Sequence, residues 1–167
     1  MRELWLLRHG KSDRDAVGSD FDRPLKPRGR RAAHRLGEWL QERGLCPDLI
    51  ITSPARRALN TAQLVCDALK RPEPPTQEPR LYFSGMEEIK NVLAGCPKSA
   101  QCVLVVGHNP DLEELLVELA SEDGLPEVEK LMPTAALARL EMPDDWSELE
   151  AGCARLIEIL YPKSLPE

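Results

Sequence analysis

No stretch of this chain is long and apolar enough to cross a bilayer as a helix. Its longest hydrophobic runs are Leu4–Leu7 and Cys102–Gly107, against the ~20 residues that a spanning helix needs. No signal peptide is expected in this segment either: the apolar stretch of Met1-Arg2-Glu3-Leu4-Trp5-Leu6-Leu7-Arg8 is too short for one and runs straight into charge. The expected compartment is the cytoplasm. The five cysteines (Cys46, Cys66, Cys96, Cys102, Cys153) form no C-x-x-C pair, which argues against a disulfide framework or a zinc knuckle and for reduced, mostly buried thiols. Repeats, linkers and low-complexity segments are also lacking. The 167 residues therefore read as one domain, 1–167, long enough to bury about 68–70% of the surface exposed when unfolded.

What is there is charge, unevenly placed. The formal net charge is −6, yet residues 1–71 hold 15 Lys/Arg against 9 Asp/Glu, and residues 72–167 hold 7 against 19. Overall acidity argues against bulk nucleic-acid binding. The basic N-terminal half suggests either a local anion site or a solvated basic helix face over 27–43.

Strand and helix signals alternate along the chain. Glu3–Leu7 reads as a strand broken at Arg8-His9-Gly10, followed by a polar loop over 11–26. In Arg28–Arg43, Ala32, Leu36, Trp39 and Leu40 fall on one helical face, and Gly44 closes the helix. Leu49–Thr52 reads as a buried strand. Ser53-Pro54 should open the next helix, Ser as N-cap and Pro at the first position, with Ala58, Ala62, Leu64, Val65 and Leu69 facing inward. Residues 71–79, with four prolines, read as loop. A short strand near Arg80–Tyr82 and a helix over Met86–Ala94 follow. Gln101–Val106 is the strongest strand; Gly107-His108-Asn109 turns from it, and Pro110 opens a helix through Leu119 with Asn109 as N-cap. Ala135–Leu140 and Arg155–Tyr161 read as late strands. This alternation implies βαβ units and a largely parallel sheet with helices on both faces.

Three of the strand-to-helix turns carry unusual residues: Arg8-His9-Gly10, Ser53-Pro54-Ala55-Arg56-Arg57 and Gly107-His108-Asn109-Pro110. Ligands of open parallel sheets bind outside the carboxyl ends of the strands, so these turns converge on one edge if their strands are neighbours. Two of them lead into helix N-termini, which favour anions. Arginine offers a planar fork matched to phosphoryl oxygens. Nearby arginines disfavour imidazolium, so His9 should be neutral and able to attack phosphorus, and His108 could donate to the transferring group. Alone, Arg8-His9-Gly10 is no more than a turn and Gly107-His108-Asn109-Pro110 no more than a helix start; the combination carries the reading. His34 lies off the apolar face and reads as a solvated residue, Trp39 as core.

Other phosphate chemistries fail on spacing. The first glycine of a P-loop ending at Gly10-Lys11-Ser12 would fall on Trp5. No cysteine has an arginine six positions on; Cys66 has Arg71, one short. Asp13-Arg14-Asp15 resembles an aspartyl-phosphatase D-x-D but does not directly follow a strand. The three histidines lack metal-ligand spacing.

The ordered set of motifs resembles the histidine phosphatase superfamily and, within it, the SixA-type phosphohistidine phosphatases. The matching pieces are Leu7-Arg8-His9-Gly10-Lys11-Ser12, Asp20-Phe21-Asp22-Arg23-Pro24-Leu25 with Gly29, and Ser53-Pro54-Ala55-Arg56-Arg57-Ala58 with Thr61-Ala62. Leu81-Tyr82, Val106-Gly107-His108-Asn109-Pro110 and Met132-Pro133-Thr134-Ala135 follow in family order. The resemblance implies a phosphoglycerate mutase-like, three-layer α/β/α fold with a mixed, mostly parallel sheet and one antiparallel strand. It implies His9 as the phosphorylated nucleophile, with Arg8, Arg57 and His108 completing the phosphate pocket, Arg57 rather than Arg56 because it precedes Ala58, and Arg23 helping to hold the substrate. No metal or organic cofactor is implied. The glutamate that protonates the leaving oxygen in family mutases and many phosphomonoesterases has no clear counterpart; Asp13, Glu87 and Glu88 are the candidates. A weak acid favours P–N over P–O substrates, because phosphohistidine with its second nitrogen protonated expels neutral imidazole. Only about thirty residues separate the Arg57 helix from the Gln101 strand, where larger family members carry a lid. The expected substrate is thus a phosphohistidine-bearing protein, for example a histidine phosphotransfer domain, with phosphate or sulfate able to occupy the pocket. The alternative is a phosphomonoesterase acting on a small phosphorylated metabolite.

Overall fold

The computed structural model describes residues 2–121 and 124–165. Six strands form one sheet: β1 (Arg2–Arg8), β2 (Leu49–Thr52), β3 (Thr76–Gln77), β4 (Cys102–Gly107), β5 (Leu137–Met142) and β6 (Arg155–Leu160), in the order β3-β2-β4-β1-β5-β6. β1, β2, β3 and β4 pair in parallel; β5 runs antiparallel to both β1 and β6. Central strands made of Leu, Ile and Val are buried on both faces, as a sheet covered by helices requires.

The covering helices are α1 (Pro27–Glu42), α2 (Arg56–Ala68), α3 (Met86–Ala94) and α4 (Asp111–Ala120). Successive side chains of a strand point to opposite faces, so the sheet divides the core in two. Trp5, Leu7, Leu104 and Val106 pack with Leu36, Leu40, Ala62 and Val65 of α1 and α2. Leu4, Leu6, Val103 and Val105 pack with Ile89, Leu93, Leu112 and Leu116 of α3 and α4. The result is a mixed-sheet α/β/α sandwich of phosphoglycerate mutase-like form. Among the described residues no helix is long and apolar enough to cross a membrane.

Local chemistry moved several boundaries from their expected places. α2 begins at Arg56, with Ala55 in the N-cap position and no side-chain cap; Ser53 and Pro54 lie before it because the Ser53 hydroxyl is engaged at the sheet edge. α4 begins at Asp111 after Pro110, and Asn109 does not cap it; its Nδ2 donates to Met132 O while its Oδ1, the atom a cap would use, has no partner. The proline-rich segment contains β3, which pairs with Ile51 and Thr52, and Arg80–Tyr82 is no strand but belongs to a 3-10 turn over Pro79–Leu81. The buried stripe of α1 is Gly29, Ala33, Leu36, Gly37 and Leu40. Ala32 and Trp39 flank it half-buried, and the Trp39 ring is covered by the Arg43 guanidinium. Gly44 follows α1 at φ 67°, the left-handed turn in which glycine is free of a Cβ penalty. Cys46 is exposed rather than buried. His34 is exposed beside Glu38, as its place off the apolar face requires.

Candidate active site

The carboxyl ends of β1, β4 and β2 lie side by side, with Arg8 opposite Gly107 and Thr52 opposite Val106. His9 and His108, one residue beyond their strands, therefore emerge at one level, with Ser53 one residue behind them on β2's side. The two histidine rings are buried with centroids 5.3 Å apart.

The His9 ring has a defined proton position. Its Nδ1–H donates to Gly10 O at 2.7 Å, which leaves the Nε2 lone pair free to accept the Arg57 Nε–H at 3.4 Å. Burial pushes the His9 pKa down to about 4; the Gly10 carbonyl opposes this, and the charges of Arg57, Arg8 and Arg23 add to the fall. The ring is neutral at pH 7, as the arginine content suggested, but desolvation is the larger cause. Backbone contacts set the loop. Gly10 N–H donates to Thr61 Oγ1, whose hydroxyl donates to Arg57 O. A Cβ on Gly10 would stand 2.7 Å from Gly29 O, and one on Gly29 only 2.3 Å from Lys11 O; this close approach of the loop to α1 explains both glycines.

Arg57 sits in the first turn of α2 with its side chain fully enclosed. Nη1 donates to Asp20 O (2.7 Å) and Nη2 to Asp20 Oδ2 (3.0 Å). The same carboxylate accepts from the Tyr82 hydroxyl at 2.7 Å and pairs with Arg23 at 3.2 Å. The Tyr82 hydrogen bond, and then Arg57, hold the Asp20 carboxyl below its usual range. Arg56, by contrast, is exposed and reaches only Asp22 O.

His108 is oriented by Ser53. The Ser53 Oγ accepts the Ala55 N–H at 3.2 Å and lies 2.8 Å from His108 Nε2. Among the described contacts His108 Nε2 is the one acceptor within reach of the buried Ser53 hydroxyl proton, which favours the hydroxyl as donor and places the imidazole proton on Nδ1. Burial, then His9 and Arg57, lower the His108 pKa to about 3.

Among the described residues, the buried side-chain polar atoms without a partner are Nε of Arg8, Arg23 and Arg71, Nδ1 of His108 and Oδ1 of Asn109. All but that of Arg71 belong to the residues of this edge. A buried donor without an acceptor costs about 1–3 kcal/mol, so three such donors in one place suit a ligand rich in acceptors, as a phosphoryl group is. α2 adds its N-terminal dipole, since its first turn holds no acid. α4 already begins with Asp111, Glu113 and Glu114, so only one of the two helix ends expected to attract anions is free to do so.

The candidate acids lie apart from this cluster in their contacts. Asp13 accepts from Asp15 N, Glu87 pairs with Lys90, and Glu88 accepts from Asn91. No group of three or more His, Cys, Asp or Glu able to hold a metal occurs among the described residues. The arrangement thus brings together His9, Arg8, Arg23, Arg57 and His108. Asp20, Ser53, Tyr82 and Phe83 join them without having been singled out. Asp20 and Tyr82 stood within matched motifs, and Ser53 was read as a cap; nothing local in the chain announces that they meet.

Both buried histidines are neutral when folded but titrate near 6.5 when unfolded. Between about pH 6.5 and the folded values of about 4 and 3, the unfolded chain binds protons that the native state does not, so stability rises with pH. Their contribution is complete above pH 6.5 and is lost as pH falls through that window. Urea unfolding of the ligand-free protein should show a midpoint declining from pH 7 to pH 5. A His9→Asn/His108→Asn variant with the same slope above pH 5 would refute that origin.

The sequence pattern of the histidine phosphatase superfamily (branch 1) matches residues 4–82. The uncharacterized protein Rv1276c of Mycobacterium tuberculosis (strain ATCC 25618 / H37Rv) is 32% identical over 163 residues, 94% of this chain and all of that protein. SixA from Agrobacterium tumefaciens superposes with a TM-score of 0.80 at 31% identity, covering 96% of this chain and 98% of that one. The protein histidine phosphatase SixA complexed with tungstate superposes with a TM-score of 0.80 at 25% identity, covering 96% and 97%. In sequence and in fold alike, this chain belongs to the histidine phosphatase superfamily.

Proposed function

We propose that this phosphatase removes the phosphoryl group from phosphohistidine on a partner protein without a metal. The observation that carries the reading is the state of Asp20. It is the carboxylate hydrogen-bonded to Arg57, and Tyr82 and Arg57 hold it deprotonated, so it is poorly suited to protonate an alkoxide. A phosphohistidine whose second nitrogen is protonated leaves as neutral imidazole and needs no such acid. SixA, with which the chain shares fold and nearly full length, supports the same choice, and the tungstate bound to one SixA is a phosphate-like oxyanion.

In this reading His9 Nε2 attacks phosphorus while the substrate P–N bond breaks, its electron pair returning to the substrate imidazole. The Nδ1–H of phospho-His9 stays on Gly10 O. Arg8, Arg23, Arg57 and His108 Nδ1–H neutralise charge on the phosphoryl oxygens. Water then attacks the phospho-His9: a P–O bond forms, the Nε2–P bond breaks with its electron pair returning to Nε2, and both of the water's protons leave with inorganic phosphate as dihydrogen phosphate.

A side-by-side assay in the presence of a chelator, with a phosphohistidine-bearing protein against a generic phosphate ester, tests this. Selective release from the histidine is expected. Preference for the ester would overturn the reading in favour of a metabolite phosphatase.

A further inference from the structure

The chain has only two phenylalanines and two tyrosines. Phe83 and Tyr82 lie beside His108, Phe83 also near Arg57, and Phe21 packs on Tyr82. The Phe83 ring lies 4.6 Å from the His108 ring at a shallow 31° tilt, and the Arg57 guanidinium carbon is 5.9 Å from its centroid. Tyr82 packs edge-on against Phe83 (5.0 Å), His108 (5.5 Å) and Phe21 (5.2 Å). Phe83 and Phe21 are nevertheless 47% and 38% exposed, although large aromatic side chains contribute most to stability when buried. Phe83 also takes φ 54°, a left-handed conformation rare for a bulky residue. Its position therefore serves neither the core nor the local backbone.

We propose that Phe83, backed by Tyr82 and Phe21, is a subsite for a planar nitrogen-heterocyclic leaving group, the imidazole ring of phosphohistidine. This rests on the phosphohistidine reading above. Phe83 contacts two of the groups that would flank the phosphoryl group, so a ring one bond from phosphorus comes within its reach. A flat ring can offer it an offset or edge-on aromatic contact, which an open-chain or polyol leaving group cannot. The subsite makes selection depend on the shape of the leaving group as well as on its need for acid.

Two small P–N compounds isolate the ring: phosphoimidazole, which carries it, and phosphoramidate, which does not. The quantity read is the ratio of their kcat/KM values, compared between the wild type and variants so that intrinsic reactivity cancels. Phe83→Leu should lower the ratio about 3–10-fold, the scale of one aromatic pair, and Phe83→Tyr should restore it. Phe83→Gly, at ease with the positive φ, should lower it as much and shows that misfolding is not the cause. An unchanged ratio in both Leu and Gly variants, with both compounds still hydrolysed, overturns the subsite and leaves the phosphohistidine reading standing. Failure of the wild type to hydrolyse either compound, with esters turned over instead, overturns the underlying reading and the subsite with it.

Discussion

His9→Ala is expected to fold and to lose turnover by more than about 10⁴-fold, the scale seen when a covalent nucleophile is removed. Two features set this expectation. The first is an unprotonated Nε2, since Nδ1–H is committed to Gly10 O and Nε2 is met only by the long 3.4 Å bond from Arg57 Nε–H. The second is the neutral state forced by burial, which keeps the lone pair available throughout the physiological range. Because the lost side chain is uncharged, its removal strands no buried ion, and stability should change by no more than about 2 kcal/mol. Turnover, covalent labelling by a phosphoryl donor and thermal unfolding together check this. Persistent turnover or labelling in a folded His9→Ala protein would remove His9 from its proposed role. The conservative His9→Asn keeps much of the volume and should be equally inactive.

Arg57→Ala is expected to slow turnover about 10²–10³-fold, the range for deleting one charged or hydrogen-bonding stabiliser of a transition state. Arg57 does more than offer charge. Its Nε–H meets His9 Nε2, and its two terminal nitrogens are held by Asp20, so the guanidinium plane is set before substrate arrives. Lysine cannot reproduce that fork, and Arg57→Lys should recover only part of the loss. Full recovery would show that a point charge suffices. Arg56→Ala is the comparison: exposed and bonded to Asp22 O, it should leave turnover within about twofold, as surface substitutions do. A loss equal to that of Arg57→Ala would transfer the role to Arg56. In Arg57→Ala the Asp20 carboxylate keeps Arg23 and Tyr82 and stays half exposed, so the fold should survive.

Asp20 shows best why part of the site could not be read from the chain. It meets Arg57 across 37 residues and Tyr82 across 62, and neither distance has a period or a motif. Ser53 shows the opposite failure. Its local signal, serine before proline at a helix start, was strong, but the hydroxyl bonds His108 across 55 residues instead of capping a first turn. The hydroxyl serves two buried partners at once, accepting the Ala55 N–H just before the helix and meeting the His108 imidazole, and a buried polar group left without a partner is costly. β3 was hidden for a related reason: a two-residue strand among prolines has no periodicity and exists only because β2 offers it an edge.

Within the chain alone, the strand–turn–helix rhythm, the two-faced burial of the central strands and the order of the His9, Arg57 and His108 turns were already determined. They follow from side-chain periodicity and from where glycine, proline and helix starts interrupt it, which are properties of neighbouring residues. Tertiary structure alone decided that β4 lies between β1 and β2, bringing the two histidines to 5.3 Å. It also decided the burial that is the main cause of both rings' neutrality, the clasp of Asp20 on the arginines and the exposed placing of Phe83. These depend on desolvation and on contacts between distant segments, and the physical cause of each exists only once the sheet has closed around the site.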